Sequence, residues 1–495
     1  VELDWLDWLN ARDYVVAREI LQRGVAALAV IAFVSTLNQF RPLLGEHGLL
    51  PVPALLRAAG GRLRGPSVFR WWRYTDRRLT VVCWVGIVLG ASVVGGLPQL
   101  APPFVPLLVF LVLWLLYLSI VVVGQTFYGF GWEMLLCEAL FTVAFLGSVH
   151  EPPPLTVLIA VWWLVFRLEF GAGMIKVRGG REWRDLTALM YHHETQPMPG
   201  PLSRQAHLLP PWFHRLEVVG NHVAQLVVPF LLFVPAIGGV PVGSIAAAVI
   251  ILTQLWLVAT GNFAWLNWIT VVLAAGAISD SAWWAVIPGL SAAADPLASS
   301  AEAAGIPVWW AVVVVAASVL FAWLAVAPIR NLFSKRQLMN ASFNRFLLGN
   351  AYGAFGTVTK RRIEIVVEGT AAADPGDPDV TWLEYAFKGK PGDVRRMPGQ
   401  FAPYHLRLDW LMWFLPLGRM WEPWFEAFLV RLLEADAPTL RLLAGDPFAG
   451  ERPTWVRARA YRYRFTTRAE FRETGDRWVR ELEGEVVGPA SLRDT

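Results

Sequence analysis

Cysteine is nearly absent: the 495 residues contain two, Cys83 and Cys137. Both fall in apolar runs, so no disulfide framework supports a soluble part, and they do not reveal a redox compartment. Charge is also scarce. Only 17% of residues are Asp, Glu, Lys or Arg, against roughly a quarter in soluble globular domains. Lysine is scarcer still, with five of the 43 basic residues. The opening residues VELDWLDWLNARDY are acidic and lack the basic region of a secretory signal, so the first apolar stretch is expected to be retained. No basic run is interleaved with aromatics in a nucleic-acid module, which excludes that partner class. Neither H-E-x-x-H nor H-x-x-E-H occurs, so no metal is expected. There is no internal repeat and none of the paired halves of an inverted-repeat transporter.

What the chain has in excess is apolar length. Hydrophobic residues make up 55% of it and the mean hydropathy is +0.45. They gather in blocks of roughly 17 to 22 residues, enough to cross a hydrocarbon core. The pattern predicts a polytopic α-helical membrane protein of about nine transmembrane helices, near 20–38, 79–97, 104–124, 131–149, 155–175, 218–237, 242–260, 262–279 and 308–328. SAWWAVIPGL (281–290) is too short to span and reads as an interfacial or re-entrant piece. The formal charge of +4 points to anionic lipid headgroups as partners.

The basic residues are concentrated in two polar loops of the 1–330 membrane domain. Loop 38–78 carries eight Arg, and loop 177–217 holds Arg178, Arg181, Arg184 and Arg204. With nine spans, both loops and the C-terminus share one face, which the positive-inside rule makes cytoplasmic. The preference for Arg over Lys, with abundant Ala, Val and Gly, fits a GC-rich bacterial genome and hence a bacterial plasma membrane.

After about Ile329 the composition turns polar, and residues 331–495 read as a separate β-rich soluble domain. In RRIEIVVEGT, Ile363, Ile365 and Val367 alternate with Arg362, Glu364 and Glu368, the pattern of a half-buried strand. A Pro/Gly/Asp turn precedes TWLEYAFKGK, a second strand, and WVRARAYRYRFTT is a third, with a phase change near Ala460 that marks a bulge. Trp410, Trp413, Trp421 and Trp424 crowd one segment, either as core or as an interfacial anchor.

The stretch WWLVFRLEFGAGMIKVRGGREWRDL places charges on an apolar helix. Glu169, Gly173 and Lys176 fall at i, i+4 and i+7 on one stripe. Ala172 and Gly173 notch that stripe between charges whose Cα atoms lie about 10 Å apart. A partner helix, a substrate or water could fill the notch. Arg167 points elsewhere, toward Glu133 or Glu138. Ionisable residues inside a membrane mark a functional site by default, and a desolvated lysine is a candidate base. The following loop adds polar candidates: Arg184, Asp185, His192, His193, Glu194, His214, Glu217, Asn221 and His222. His192, His193 and Glu194 are adjacent and cannot all converge, whereas His214, Glu217 and Asn221 share a helix face. The segment YHHETQPMP is expected to cap the notch.

Three blocks together resemble the lipase maturation factor family. They are LNQFRPLLGEHGLLPVP; the run from FGAGMIKVRGGREWRDLTALMYHHETQPMPGPLS to LPPWFHRLEVVGNH; and YGAFGTVTKRRIEIVVEGT with WLEYAFKGKPGDVRRMPGQFAPYHLRLDWLMWF. The resemblance implies a multi-span membrane protein that helps secreted lipases fold and assemble, with lipase-like clients as partners. It also implies an exoplasmic loop 177–217 and C-terminal domain, opposite to the charge rule. A shorter likeness, FGAGMIKVRGGREWRD, is similar to the membrane domain of vitamin K-dependent gamma-carboxylases. That likeness implies an alternative: an intramembrane enzyme using Lys176 as base on a quinone-like lipid, with Glu169 as modulator and His192, His193 and His214 handling protons.

Overall fold

The computed structural model describes residues 9–60, 63, 65–287, 306–418 and 422–493. Its principal helices are α1 (Val15–Leu44), α2 (Asp76–Val94), α3 (Phe104–Val123), α4 (Gly131–Val143), α5 (Leu155–Arg178), α6 (Leu189–Thr195), α7 (Pro211–Leu226), α8 (Val242–Thr260), α9 (Leu266–Ala275), α10 (Asp280–Val286), α11 (Val308–Phe333), α12 (Arg407–Phe414) and α13 (Pro423–Leu433). Among the described residues, six are long and apolar enough to span a membrane: α1, α2, α3, α5, α8 and α11. The pair α9–α10 adds a seventh if it is one broken span, bent by 103°. The expected count of about nine is not confirmed among the described residues.

The excess has a physical origin, because apolar length reports burial and not only lipid. The 131–149 stretch forms α4, 13 residues and about 20 Å long, short of a hydrocarbon core of about 30 Å. All of α4 except Met134 is buried, so neighbouring helices cover it in place of lipid. The 218–237 stretch breaks after α7 at Val227, ahead of Pro229. The 262–279 stretch yields only the ten residues of α9. SAWWAVIPGL overlaps α10, and its last three residues lie outside the described ones, as do residues 1–8, Arg62, Arg64 and Trp421.

Local chemistry sets the helix starts. Thr75 caps α2 by accepting from the Arg78 N–H, with Asp76 in the first turn. Pro211 opens α7 at the one position where its missing N–H costs nothing.

The two basic loops and the C-terminal region meet at one end of the bundle. Arg431 donates to the His47 carbonyl at 2.7 Å, Arg204 to the Thr466 carbonyl at 2.9 Å, and Arg178 to the Ser334 carbonyl at 3.2 Å. The opposite end is closed by Arg18 on the Glu151 carbonyl (2.7 Å) and by Asp280, which accepts from the Val15 N–H (2.8 Å).

The C-terminal region contains an antiparallel sheet in the order β2-β1-β3-β4, with β1 (Arg362–Thr370), β2 (Leu383–Glu384), β3 (Trp455–Phe465) and β4 (Trp478–Ala490). The β3–β4 register shifts between Ala460 and Tyr461, where the burial alternation of β3 also changes phase, as the sequence pattern predicted. Three expectations need correction. Only Leu383–Glu384 of TWLEYAFKGK pairs as strand. β4 was not anticipated, because its Gly- and Glu-rich stretch has weak alternation. β1 is buried on both faces rather than one. Its polar face is neutralised: Arg362 pairs with Glu364 at 2.6 Å, Lys390 also contacts Glu364, and Arg457 and Arg459 each meet Glu368 at 2.6 Å. Trp410 and Trp424 are core residues, packed on Trp132 and Phe127 respectively.

Candidate functional site

The stripe on α5 opens onto a cavity of about 980 Å³ at the junction of the bundle with the C-terminal region. Glu169, Lys176, His192, His193, Glu217 and Asn221 all line it. The notch between the two charges is filled by a partner helix. A Cβ on Gly173 would lie 2.7 Å from Leu226 Cδ2 and 3.0 Å from Gln225 Cβ, so glycine is what lets α7 approach α5.

That close approach brings Gln225 between the charges. Lys176 Nζ donates to Gln225 Oε1 at 2.8 Å and to Asn221 Oδ1 at 2.9 Å. The same Gln225 amide donates from Nε2 to Glu169 Oε2 at 3.2 Å. The amide thus presents its oxygen to the cation and its N–H to the anion. On the other side, Gln254 of α8 donates to Glu169 Oε1 at 2.6 Å and accepts from Asn267 of α9 at 2.6 Å. Six residues on four helices form one continuous chain of hydrogen bonds, in a setting where an unpaired polar group would be expensive.

Lys176 is 5% exposed and its ammonium lies 4.7 Å from the centre of the Trp183 ring. It does not snorkel to bulk water. Sequence reasoning missed Gln225, Gln254 and Asn267. The available signal was polarity inside apolar helices, since a buried amide there must find a partner.

The cap is also in place. His192, His193, Thr195, Gln196 and Pro197 line the cavity, and α6 and the loop after it are held down from outside. Trp413 Nε1 donates to the Thr195 carbonyl at 2.9 Å, and Arg362 donates to the Glu194 and Gln196 carbonyls at 2.9 and 2.5 Å. Burial pushes the His192 imidazole down to about 3, with His193 beside it adding to the effect, so the cap presents this ring neutral.

Behind His193 stand His214 and Glu217 of α7. His214 Nδ1 is 2.8 Å from Glu217 Oε2, and His193 Nε2 is 3.5 Å from Glu217 Oε1. Trp256 Nε1 donates to that same Oε1 at 2.8 Å.

The remaining candidates lie elsewhere. Arg167 meets Glu138, not Glu133, at 2.5 Å. Glu138 also accepts from the Gly349 and Asn350 N–H groups and from Tyr352, so the pair pins the 347–352 turn to the bundle. Glu133 instead holds Arg407 at 2.6 Å. Arg184 is exposed, and Asp185 makes a solvent-facing pair with Arg181 at 2.9 Å. Glu194 accepts from the Phe465 N–H at 2.8 Å, which ties the cap to β3. His222 contacts the Trp183 carbonyl at 3.1 Å and braces the ring beneath Lys176. None of these candidates lines the cavity.

Comparison with known proteins covers nearly the whole chain. Residues 16–285 match the family described as Lipase maturation factor transmembrane domain, and residues 348–488 the Lipase maturation factor C-terminal domain. The chain is 36% identical to Lipase maturation factor 1 of Bos taurus, covering 98% of this chain and 91% of that protein. It is 36% identical to Lipase maturation factor 1 of Homo sapiens, covering 98% and 90%. Identity to Lipase maturation factor 2 of Xenopus tropicalis is 27%, covering 96% and 82%. No solved structure matches. These relatives are vertebrate and none is named a carboxylase, so they support neither a bacterial source nor the carboxylase likeness. With both family regions matched in order and at least six helices long and apolar enough to span, the chain is an integral membrane protein and belongs to the lipase maturation factor family.

Proposed function

We propose that this protein assists the folding or assembly of secreted, lipase-like clients. The observation that carries this reading is the likeness to Lipase maturation factor 1 over 98% of the chain, which includes both the membrane and the C-terminal regions. The division of labour we propose follows the composition: residues 1–330 anchor and shape the site, and residues 331–495 face the client. The charged chain on α5 then holds four helices in register beneath the docked C-terminal region. The test is co-expression of a secreted lipase with this chain in a host lacking any relative. The expected result is more active lipase in the medium at equal lipase synthesis. Equal activity with and without the chain rejects the reading.

A client-facing role requires the C-terminal region and loop 177–217 to be exoplasmic, which we propose for a plasma membrane, bacterial on composition. Single cysteines placed at Asp374 or Arg181 report this with an impermeant maleimide, because native Cys83 and Cys137 are buried. Labelling of intact cells is expected, and labelling only after lysis reverses the orientation.

The 980 Å³ cavity favours a second reading, in which a lipid-soluble ligand sits against Lys176 and His192. Mass spectrometry of lipids retained through purification tests it, and a cavity variant that retains the same lipids as the parent chain rejects it.

A further inference from the structure

The cluster of His193, His214 and Glu217 carries a charge problem that a bound cation resolves. His214 Nε2 lies 3.2 Å from the His207 carbonyl oxygen. A carbonyl only accepts, so Nε2 carries the hydrogen. In the neutral ring, Nδ1 is then a bare lone pair, and it points at Glu217 Oε2 from 2.8 Å. A carboxylate oxygen also only accepts. Two lone pairs at that distance repel unless positive charge lies with them.

A proton on His214 would serve, but it leaves His193 unexplained. His193 is 1% exposed, neither of its ring nitrogens has a hydrogen-bond partner, and its Nε2 faces the same carboxylate. Burying both nitrogens unpaired costs free energy without return. Ligand atoms of all three residues lie within 4.8 Å of one another.

We infer that His193, His214 and Glu217 form a binding site for a divalent transition-metal ion, zinc by the character of its ligands, with an open position toward the cavity. Two imidazoles and one carboxylate suit zinc, whose bonds to these atoms are about 2.0–2.2 Å. Its outer contacts match those of metal sites: the His214 N–H is anchored on a backbone carbonyl, and the Glu217 carboxylate accepts from Trp256. His193 and Glu217 are on the cavity wall, so a water or a ligand oxygen could occupy the fourth position. The linear sequence hides the site because its ligands come from two segments, α6 and α7, with no fixed spacing between them.

The test is metal content of the purified full-length chain, stripped with chelator and reloaded with Zn²⁺ or Co²⁺. The expected result is one equivalent per chain, with a Co²⁺ visible spectrum typical of low coordination number. His193→Ala removes a side chain that makes no hydrogen bond, so it is expected to fold and to lose the bound metal. His214→Ala is expected to do the same, and Trp256→Phe to weaken uptake roughly 10-fold. The inference is overturned if the parent chain takes up no stoichiometric metal, or if His193→Ala and His214→Ala retain it. It is also overturned if the His214 ring proves doubly protonated in the metal-loaded sample.

Discussion

Replacing Lys176 with methionine tests whether the hydrogen-bond chain on α5 is a matched charge pair. The substitution keeps most of the side chain's volume and removes the ammonium. Asn221 Oδ1 and Gln225 Oε1 then lose their donor, and Glu169 is left with no buried cation beside it. Breaking a buried pair from one side costs about 3–5 kcal/mol. For a chain of this length the unfolding entropy is on the order of 1 kcal/mol per kelvin, so the melting temperature should fall by roughly 3–5 °C. Glu169→Gln should cost a similar amount by stranding the ammonium. The double variant Lys176→Met/Glu169→Gln removes both charges, and the Gln225 amide can turn to suit its new neighbours. It should therefore lie nearer the parent than either single variant, with a coupling of about 2–3 kcal/mol. The assay is thermal unfolding in detergent, followed by tryptophan fluorescence, for all four proteins. Additive losses in the double variant, or a Lys176→Met protein as stable as the parent, would refute the reasoning.

Three further outcomes follow from the same structure. Gly173→Val drives a side chain into Leu226 and Gln225, and should cost about 1–3 kcal/mol, measured as reduced melting temperature and reduced yield of monodisperse protein. Glu138→Ala strands the buried Arg167 and two backbone N–H groups, so its loss should reach about 3–5 kcal/mol; Asp185→Ala, on an exposed pair, should stay within about 0.5 kcal/mol in the same melts. His405 is fully buried, and burial, then the Arg407 charge, holds its imidazole well below the usual range. The unfolded chain takes up a proton near pH 6.5 while the folded chain does not, so stability is lost as pH falls below that value. Between pH 6.5 and 5 the loss from this group should be roughly 2 kcal/mol. His405→Phe should flatten that part of the melting-temperature profile, and an unchanged slope would contradict the burial argument.

Much of the site was legible because its parts share one helix. The spacing of Glu169, Gly173 and Lys176 follows from helical geometry alone, and the small residue between the charges predicted an entry point. What entered was not legible, because Gln225 lies on a different helix and its position depends on how closely α7 packs. The same holds for Arg167: the sequence offered Glu133 and Glu138 as partners, and the rotation of α4 selected Glu138. The metal-ligand geometry at His193, His214 and Glu217 was invisible for a related reason. No motif joins residues brought together only by the folding back of the 196–210 segment between α6 and α7.

The span count shows the division clearly. Apolar composition by itself determined that this chain lives in a membrane, since an apolar run in water must be covered by something. It could not determine whether lipid or protein does the covering. Only the tertiary structure decided that α4 and α9 are wrapped by other helices while α11 is largely exposed along its length. In the same way, alternation in β1 determined a strand, and packing decided that its charged face is also buried, because Lys390, Arg457 and Arg459 arrive there from other parts of the chain. Local pattern records what a segment would bury, and the fold supplies the neighbour against which it is buried.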